Sequence, residues 1–144
     1  MSLRLAAMDC LARREYSYHE LYQKLSKKQG QENLMSVLES LKNEGLQSDY
    51  RYASMRVKVR SQAGYGPRFI RSELTAHHID QDQIEKVLSD QHIDWNDLAY
   101  QAAVKKYRGD LSKIKQFLIR KGHEYDTIQC VLKELEKGAD HRDS

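Results

Sequence analysis

Residues 70–88 read IRSELTAHHIDQDQIEKVL and residues 114–132 read IKQFLIRKGHEYDTIQCVL, one apolar pattern displaced by 44 positions. Ile70, Leu74, Ile84, Val87 and Leu88 meet Ile114, Leu118, Ile128, Val131 and Leu132, so all five positions stay aliphatic. Toward the N-terminus, Leu21 and Leu25 stand 49 positions before Ile70 and Leu74, while Leu34, Val37 and Leu38 stand 50 before Ile84, Val87 and Leu88. A single residue of loop length restores the match. Three copies of a unit of about 45 residues therefore fill the 144-residue chain.

Within each copy the apolar residues recur at i, i+3 and i+4, the period of an amphipathic helix rather than the alternation of a strand. Cap and breaker residues divide each copy into three helices. Ser17-Tyr18-His19-Glu20 has the form of a capping box, with Ser17 accepting from a first-turn amide and Glu20 reaching back. Gly30 loosens the next connection and Gly45 closes the third helix. Ser48-Asp49 opens the second copy, whose first helix is expected to carry Tyr52, Met55 and Val59 on one side. Gly64-Tyr65-Gly66-Pro67 ends that helix, and Pro67 suits the first position of the next, where its missing amide hydrogen costs nothing. That helix is expected to run to about His78, and the third, capped within Asp80-Gln81-Asp82-Gln83, to His92. In the third copy Asp94 caps a helix to Tyr107, Gly109-Asp110 opens the next, Gly122 ends it, and Glu124 to Lys137 forms the last.

The expected fold is all-α: three tandem three-helix repeats, at 1–47, 48–92 and 93–138, stacked into an elongated, curved rod with a polar tail at 139–144. One proline, seven glycines and 31% charged residues agree with helices that expose much of their surface. No apolar run is long enough for a membrane span, and the first residues lack the apolar stretch of a signal peptide. Two cysteines 120 positions apart, Cys10 and Cys130, make no disulfide framework; both sit in helical apolar patterns and are expected to be buried thiols. The expectation is a cytoplasmic monomer.

Net charge is only +3, but its distribution is uneven. Residues 51–72 hold six basic side chains and no acid; residues 73–97 hold seven acids and only Lys86; residues 98–123 hold seven Lys/Arg against Asp110. On helices these blocks become faces. Arg51 and Lys58 are seven apart and Arg56 and Arg60 four apart, so each pair projects together, and Arg68 and Arg71 extend the patch. In the third copy Lys105 and Arg108 are three apart and Lys113 and Arg120 seven apart, with Lys106, Lys115 and Lys121 nearby. Tyr65, Tyr107 and Tyr125 interleave aromatic rings with them. A basic face of this kind attracts phosphate backbones or acidic protein surfaces. The first copy is less basic, with seven Lys/Arg balanced by seven acids up to Tyr50.

Motifs for chemistry are missing from the sequence: no Gly-rich phosphate loop, no HExxH and no CxxC. The adjacent His77 and His78 would diverge by about 100° on a helix and chelate poorly, and Asp80, Asp82 and Glu85 suit a helix start. Neither a metal nor a cofactor is expected, and the chain reads as a non-enzyme.

The second copy also resembles a known family. Ser48-Asp49-Tyr50-Arg51-Tyr52-Ala53, Arg56, and Gly64-Tyr65-Gly66-Pro67-Arg68-Phe69-Ile70-Arg71-Ser72-Glu73-Leu74 look like the signature of the RecX family of bacterial recombination regulators. Arg13-Arg14-Glu15-Tyr16-Ser17 with Glu20-Leu21 adds to the likeness, as do Tyr107-Arg108-Gly109 and Lys113-Ile114 with Phe117-Leu118 and Lys121-Gly122. The resemblance implies a three-repeat protein that binds the RecA filament on single-stranded DNA, directly on DNA or through RecA. It further implies blocked extension or promoted disassembly, and so lower strand exchange, ATPase and co-protease activity in DNA repair and the SOS response. Two other readings stand beside it: a stand-alone DNA-binding protein using a helix-turn-helix-like unit, and a scaffold that binds protein alone. A reader needs a basic recognition helix, whereas the third helices here begin with Asp80-Gln81-Asp82 and Glu124-Tyr125-Asp126.

Overall fold

The computed structural model describes residues 2–27 and 33–142; Gly30 lies outside them. Among the described residues there are nine α-helices and no strand: α1 Leu3–Arg13, α2 Tyr18–Leu25, α3 Leu34–Asn43, α4 Asp49–Gln62, α5 Pro67–Ala76, α6 Gln81–Asp90, α7 Trp95–Lys106, α8 Leu111–Arg120 and α9 Tyr125–Arg142. None is long and apolar enough to cross a membrane.

The helix starts are built by the residues the sequence nominates. Ser17 Oγ accepts from the Glu20 amide at 3.0 Å while Glu20 Oε1 accepts from the Ser17 amide at 3.1 Å, a complete capping box. Ser48 Oγ caps α4 through the Arg51 amide, Asp94 caps α7 through the Asp97 amide, and Asp110 caps α8 through the Lys113 amide. The helix ends share one device as well. Gly45, Gly64 and Gly122 take φ of +79°, +91° and +82°, and at each the following amide reaches back to a carbonyl five residues earlier. His78, 44 residues before Gly122 and so its counterpart in the repeat, does the same at φ +60°, with the Ile79 amide donating to Leu74 O. Histidine tolerates this region better than most side chains.

The chain forms two compact units. The first contains residues 1–56 and 74–87; its core holds Ala6, Ala7, Cys10, Tyr16, Leu21, Leu25, Leu34, Leu38 and Leu41. Buried Gln47 donates to Tyr16 O and to Asp49 Oδ1, and Asp49 Oδ1 accepts the Tyr18 amide, which ties the starts of α2 and α4 together. The second contains residues 57–73 and 88–144, with a core of Ala99, Ala103, Ile114, Leu118, Ile128, Val131 and Leu135 under α7, α8 and α9. Of the repeat positions, Leu21, Leu25, Leu34, Leu38, Ile70, Leu74, Ile84, Val87, Leu88, Ile114, Leu118, Ile128 and Val131 are buried, and Val37 and Leu132 half-buried.

Three local expectations fail. On α4 the buried residues are Tyr52, Ala53, Val57 and Ser61, while Val59 is 45% exposed. The buried stripe follows an i, i+4 ridge, which drifts about 40° per step, so by the second half of α4 it has left the azimuth that Tyr52 and Val59 share. Cys10 is buried as expected, but Cys130 is exposed, because Ile128, Val131 and Leu135 set the inner stripe of α9 and position 130 falls opposite it. Finally, α9 runs past Lys137 and Gly138 to Arg142. An interior glycine costs only about 1 kcal/mol relative to alanine, too little to stop an established helix.

Candidate functional site

The motif Gly64-Tyr65-Gly66-Pro67 is a clasp onto the α8–α9 turn. The Gly66 amide donates to Lys121 O at 2.7 Å and the Arg68 amide to Gly122 O at 2.9 Å. Helix starts leave amides and helix ends leave carbonyls without intrahelical partners; here the orphans at the start of α5 satisfy those at the end of α8, with Pro67, which has no amide hydrogen, between them. His123 Nε2 lies 2.9 Å from Gly64 O, so this nitrogen carries the hydrogen and donates. His123 is 2% exposed and its Nδ1 is buried without a partner among the described residues. Burial holds its pKa below the usual histidine value and nearby Lys121 adds to this, against the pull of the Gly64 carbonyl.

The clasp engages several of the predicted basic residues internally. Arg71 Nη1 pairs with Glu124 Oε1 at 2.8 Å and Arg60 Nε with Glu73 Oε2 at 2.8 Å. Tyr65 stacks on Phe69 at 4.2 Å, with Lys121 Nζ 3.9 Å and the Arg60 guanidinium 5.4 Å from the Tyr65 ring centre. Arg108 donates to the carbonyls of Lys105 and Tyr107 at the end of α7. In the first unit, Arg51 pairs with Glu15 at 3.0 Å and donates to Gly45 O, and Arg56 is half-buried.

The remaining cations point outward. Lys58, Arg68, Lys105, Lys113, Lys115 and Arg120 are exposed and have no carboxylate partner among the described residues. Helix α8, LSKIKQFLIR, contains no acid. Its Ile114 and Leu118 are buried, while Lys113 and Arg120, two turns apart, share one flank and Lys115 lies on the other. Beside α8 a groove of about 560 Å³ is lined by Lys105, Lys106, Lys121, Phe117, Gln62 and Gln101, with Asp97 its one acid among the described residues. Lys106 Nζ lies 5.4 Å from the Phe117 ring centre, so a flat apolar surface sits among the charges. Lys105, Lys106 and Arg120 also stand in the last turns of α7 and α8, where they complement the helix dipoles.

Of the predicted basic set, the structure thus gathers Lys105, Lys106, Lys113, Lys115, Arg120 and Lys121 on α7 and α8. It scatters the others: Arg51 and Arg56 in the first unit, Arg60, Arg68 and Arg71 at the clasp, Lys58 exposed on α4 and Arg108 at the end of α7. Tyr65 takes part in the clasp, Tyr107 caps α7, and Tyr125 is 67% exposed. Sequence reasoning missed Glu73, Glu124 and His123, the partners that anchor Arg60, Arg71 and Gly64; the three-residue run Gly122-His123-Glu124 was the available signal. The three-fold pattern of apolar positions carried no information on which side chains pair.

A family model described as "RecX, second three-helix domain" matches residues 48–88. A protein of Ectopseudomonas mendocina named Regulatory protein RecX is 36% identical over 141 residues, covering 92% of this chain and 94% of the relative. A protein of the same name from Legionella pneumophila is 36% identical over 138 residues, covering 90% and 92%. Among solved structures, RecX from Lactobacillus salivarius superposes with a TM-score of 0.81 at 26% identity over 93% of this chain and 94% of that one. A second crystal structure of a regulatory protein RecX has the same fold, with a TM-score of 0.76 at 22% identity, over 90% of this chain and 72% of that one. Kinship with named relatives over nearly the whole length, together with the Ser48-to-Leu88 match that contains the clasp motif, shows that the chain belongs to the RecX family.

Proposed function

We propose that this chain regulates the RecA recombinase by binding the RecA filament on single-stranded DNA, lowering RecA ATPase, strand-exchange and co-protease activity by blocking extension or promoting disassembly. Family membership supports the regulatory role. The observation that carries the reading is α8, an acid-free helix whose Lys113, Lys115 and Arg120 lack carboxylate partners among the described residues, beside the Lys105–Lys106–Lys121 groove. Several cations on one helix and its neighbour act together on a polyanion, whether phosphodiester backbone or acidic RecA surface. The protein acts as a monomer by occupying a surface, with no bond made or broken. Three repeats, at 1–47, 48–92 and 93–138, belong to the same proposal, supported by the family's second three-helix domain beginning at Ser48.

The experiment adds the protein to RecA turning over ATP on single-stranded DNA. Sub-stoichiometric protein is expected to slow turnover and shorten filaments; unchanged ATPase, filament length and strand exchange would refute the role. A stand-alone duplex reader finds less support, since the first turns of α6 and α9 carry Asp82 and Asp126, which repel phosphate.

A further inference from the structure

The first unit contains a second cationic cavity that the balanced charge of residues 1–50 conceals. A groove of about 500 Å³ is lined by Arg14, Tyr16, His19, Lys24, Lys27 and His77, with Glu20 as its one carboxylate among the described residues. Glu20 is already committed: both its oxygens face the Arg14 guanidinium at 3.3 and 3.2 Å, and Oε1 also accepts the Ser17 amide. Arg14 and Lys24 are held against the same ring, with the Arg14 guanidinium 3.6 Å and Lys24 Nζ 5.5 Å from the Tyr16 centroid, and Lys24 Nζ donates to the Tyr16 hydroxyl at 3.3 Å. That hydroxyl keeps its own hydrogen to donate. Lys27 is exposed and has no carboxylate partner among the described residues. Among the described residues, the site thus offers oriented donors and an excess of positive charge with no unpaired acid to neutralise it.

We propose that this groove is an oxyanion-binding site for phosphate groups, held by Lys24, Lys27 and the Tyr16 hydroxyl and backed by Arg14. Phosphate chemistry is favoured because three cations converge where one carboxylate is already paired, and each phosphate offers several strong acceptors. The source is either the backbone of a single nucleic-acid strand or a free nucleotide.

His19 makes the site responsive to pH. His19 stacks on His78 at 3.7 Å with rings 16° apart, and His77 meets Tyr52 edge-on. Around His19 stand Glu20 on its own helix, His77 and His78 at the end of α5, Glu39 and Lys42 on α3, and Asp49 on α4. Desolvation first, then the neighbouring imidazoles, hold the His19 pKa below its ordinary value against the pull of Glu20. A bound phosphate reverses that balance, so binding takes up protons and strengthens as pH falls from about 7.5 toward 6.

The test follows backbone amide NMR shifts of the full chain on addition of pyrophosphate, a nucleoside triphosphate, and an oligothymidylate, at pH 7.5 and 6.2 and constant ionic strength. Amides of Gln23, Lys24, Lys27 and His77 are expected to move, affinity for the oligothymidylate, whose phosphodiesters keep their charge across this range, to rise at the lower pH, and Lys24→Glu/Lys27→Glu to weaken binding by about tenfold or more. Both side chains are exposed, and the milder Lys24→Gln/Lys27→Gln should weaken binding in the same sense with the spectrum otherwise intact. Response to the oligonucleotide alone identifies a strand as the source; response to pyrophosphate and triphosphate alone identifies a nucleotide. Shifts that none of the three probes produce, or that survive both double variants, overturn the proposal.

Discussion

Gly66 packs so closely on Gly122 that a β carbon at Gly66 would stand 2.5 Å from the Gly122 carbonyl oxygen, and one at Gly122 would stand 2.4 Å from the Phe69 amide nitrogen. Neither position leaves room for a methyl group, since the atoms in the way are backbone. The two glycines permit the helix-start amides of α5 to reach the helix-end carbonyls of α8, and they set where Arg68 and Arg71 emerge.

Gly66→Ala or Gly122→Ala should therefore destabilise the chain by roughly 2–3 kcal/mol in urea or thermal unfolding, by overpacking and by opening the clasp. Gly45 is the contrast. It has φ +79° but nothing within 4 Å of an added β carbon, so Gly45→Ala should cost only the backbone penalty, about 1 kcal/mol. Equal losses at the three positions would show that the close approach is not what the glycines serve.

His123 gives the clasp a pH dependence with a defined sign. Its folded-state pKa lies below the unfolded value of about 6.5. Above pH 7 both states are neutral and the residue is silent. As pH falls through 6.5 the unfolded chain takes up the proton first, so stability drops until the folded-state value is reached and is level below it. His123→Gln keeps a donor for the Gly64 carbonyl and should flatten this part of the urea-midpoint profile between pH 8 and 5.5; a profile as steep as the parent's would remove His123 as the cause.

The Arg71–Glu124 pair, with side chains 35% and 45% exposed, belongs to the weak class. A double-mutant cycle with Arg71→Gln and Glu124→Gln should return a coupling below about 1 kcal/mol, shrinking with salt. Arg71 would then be a residue that aims the clasp, and a coupling of several kcal/mol would contradict this account.

The helix count, the starts at Ser17, Ser48, Asp94 and Asp110, and most of the core were legible because caps and apolar period act within a few residues of chain. Val59 and Cys130 were misread because a buried stripe is set by a neighbouring helix, and its drift along α4 or its edge on α9 is not written in the spacing alone. The site was legible by halves. Charge blocks marked α8 and the end of α7, yet could not distinguish Arg60 and Arg71, which find Glu73 and Glu124, from Lys113 and Arg120, which do not. Arg14, Lys24 and Lys27 were hidden for the opposite reason: their block is neutral in sum, and only folding shows that Glu20 pairs with Arg14 and not with the lysines.

The most direct test compares the parent chain with Lys113→Glu/Lys115→Glu/Arg120→Glu for binding to RecA filaments on fluorescent single-stranded DNA, by anisotropy across a salt series, with exposed Lys133→Glu on α9 as the control. The triple reversal should weaken binding at least tenfold and make its salt dependence shallower, while the control stays near the parent. Parent-like affinity and slope in the triple variant would contradict the claim that α8 is the surface through which this protein acts.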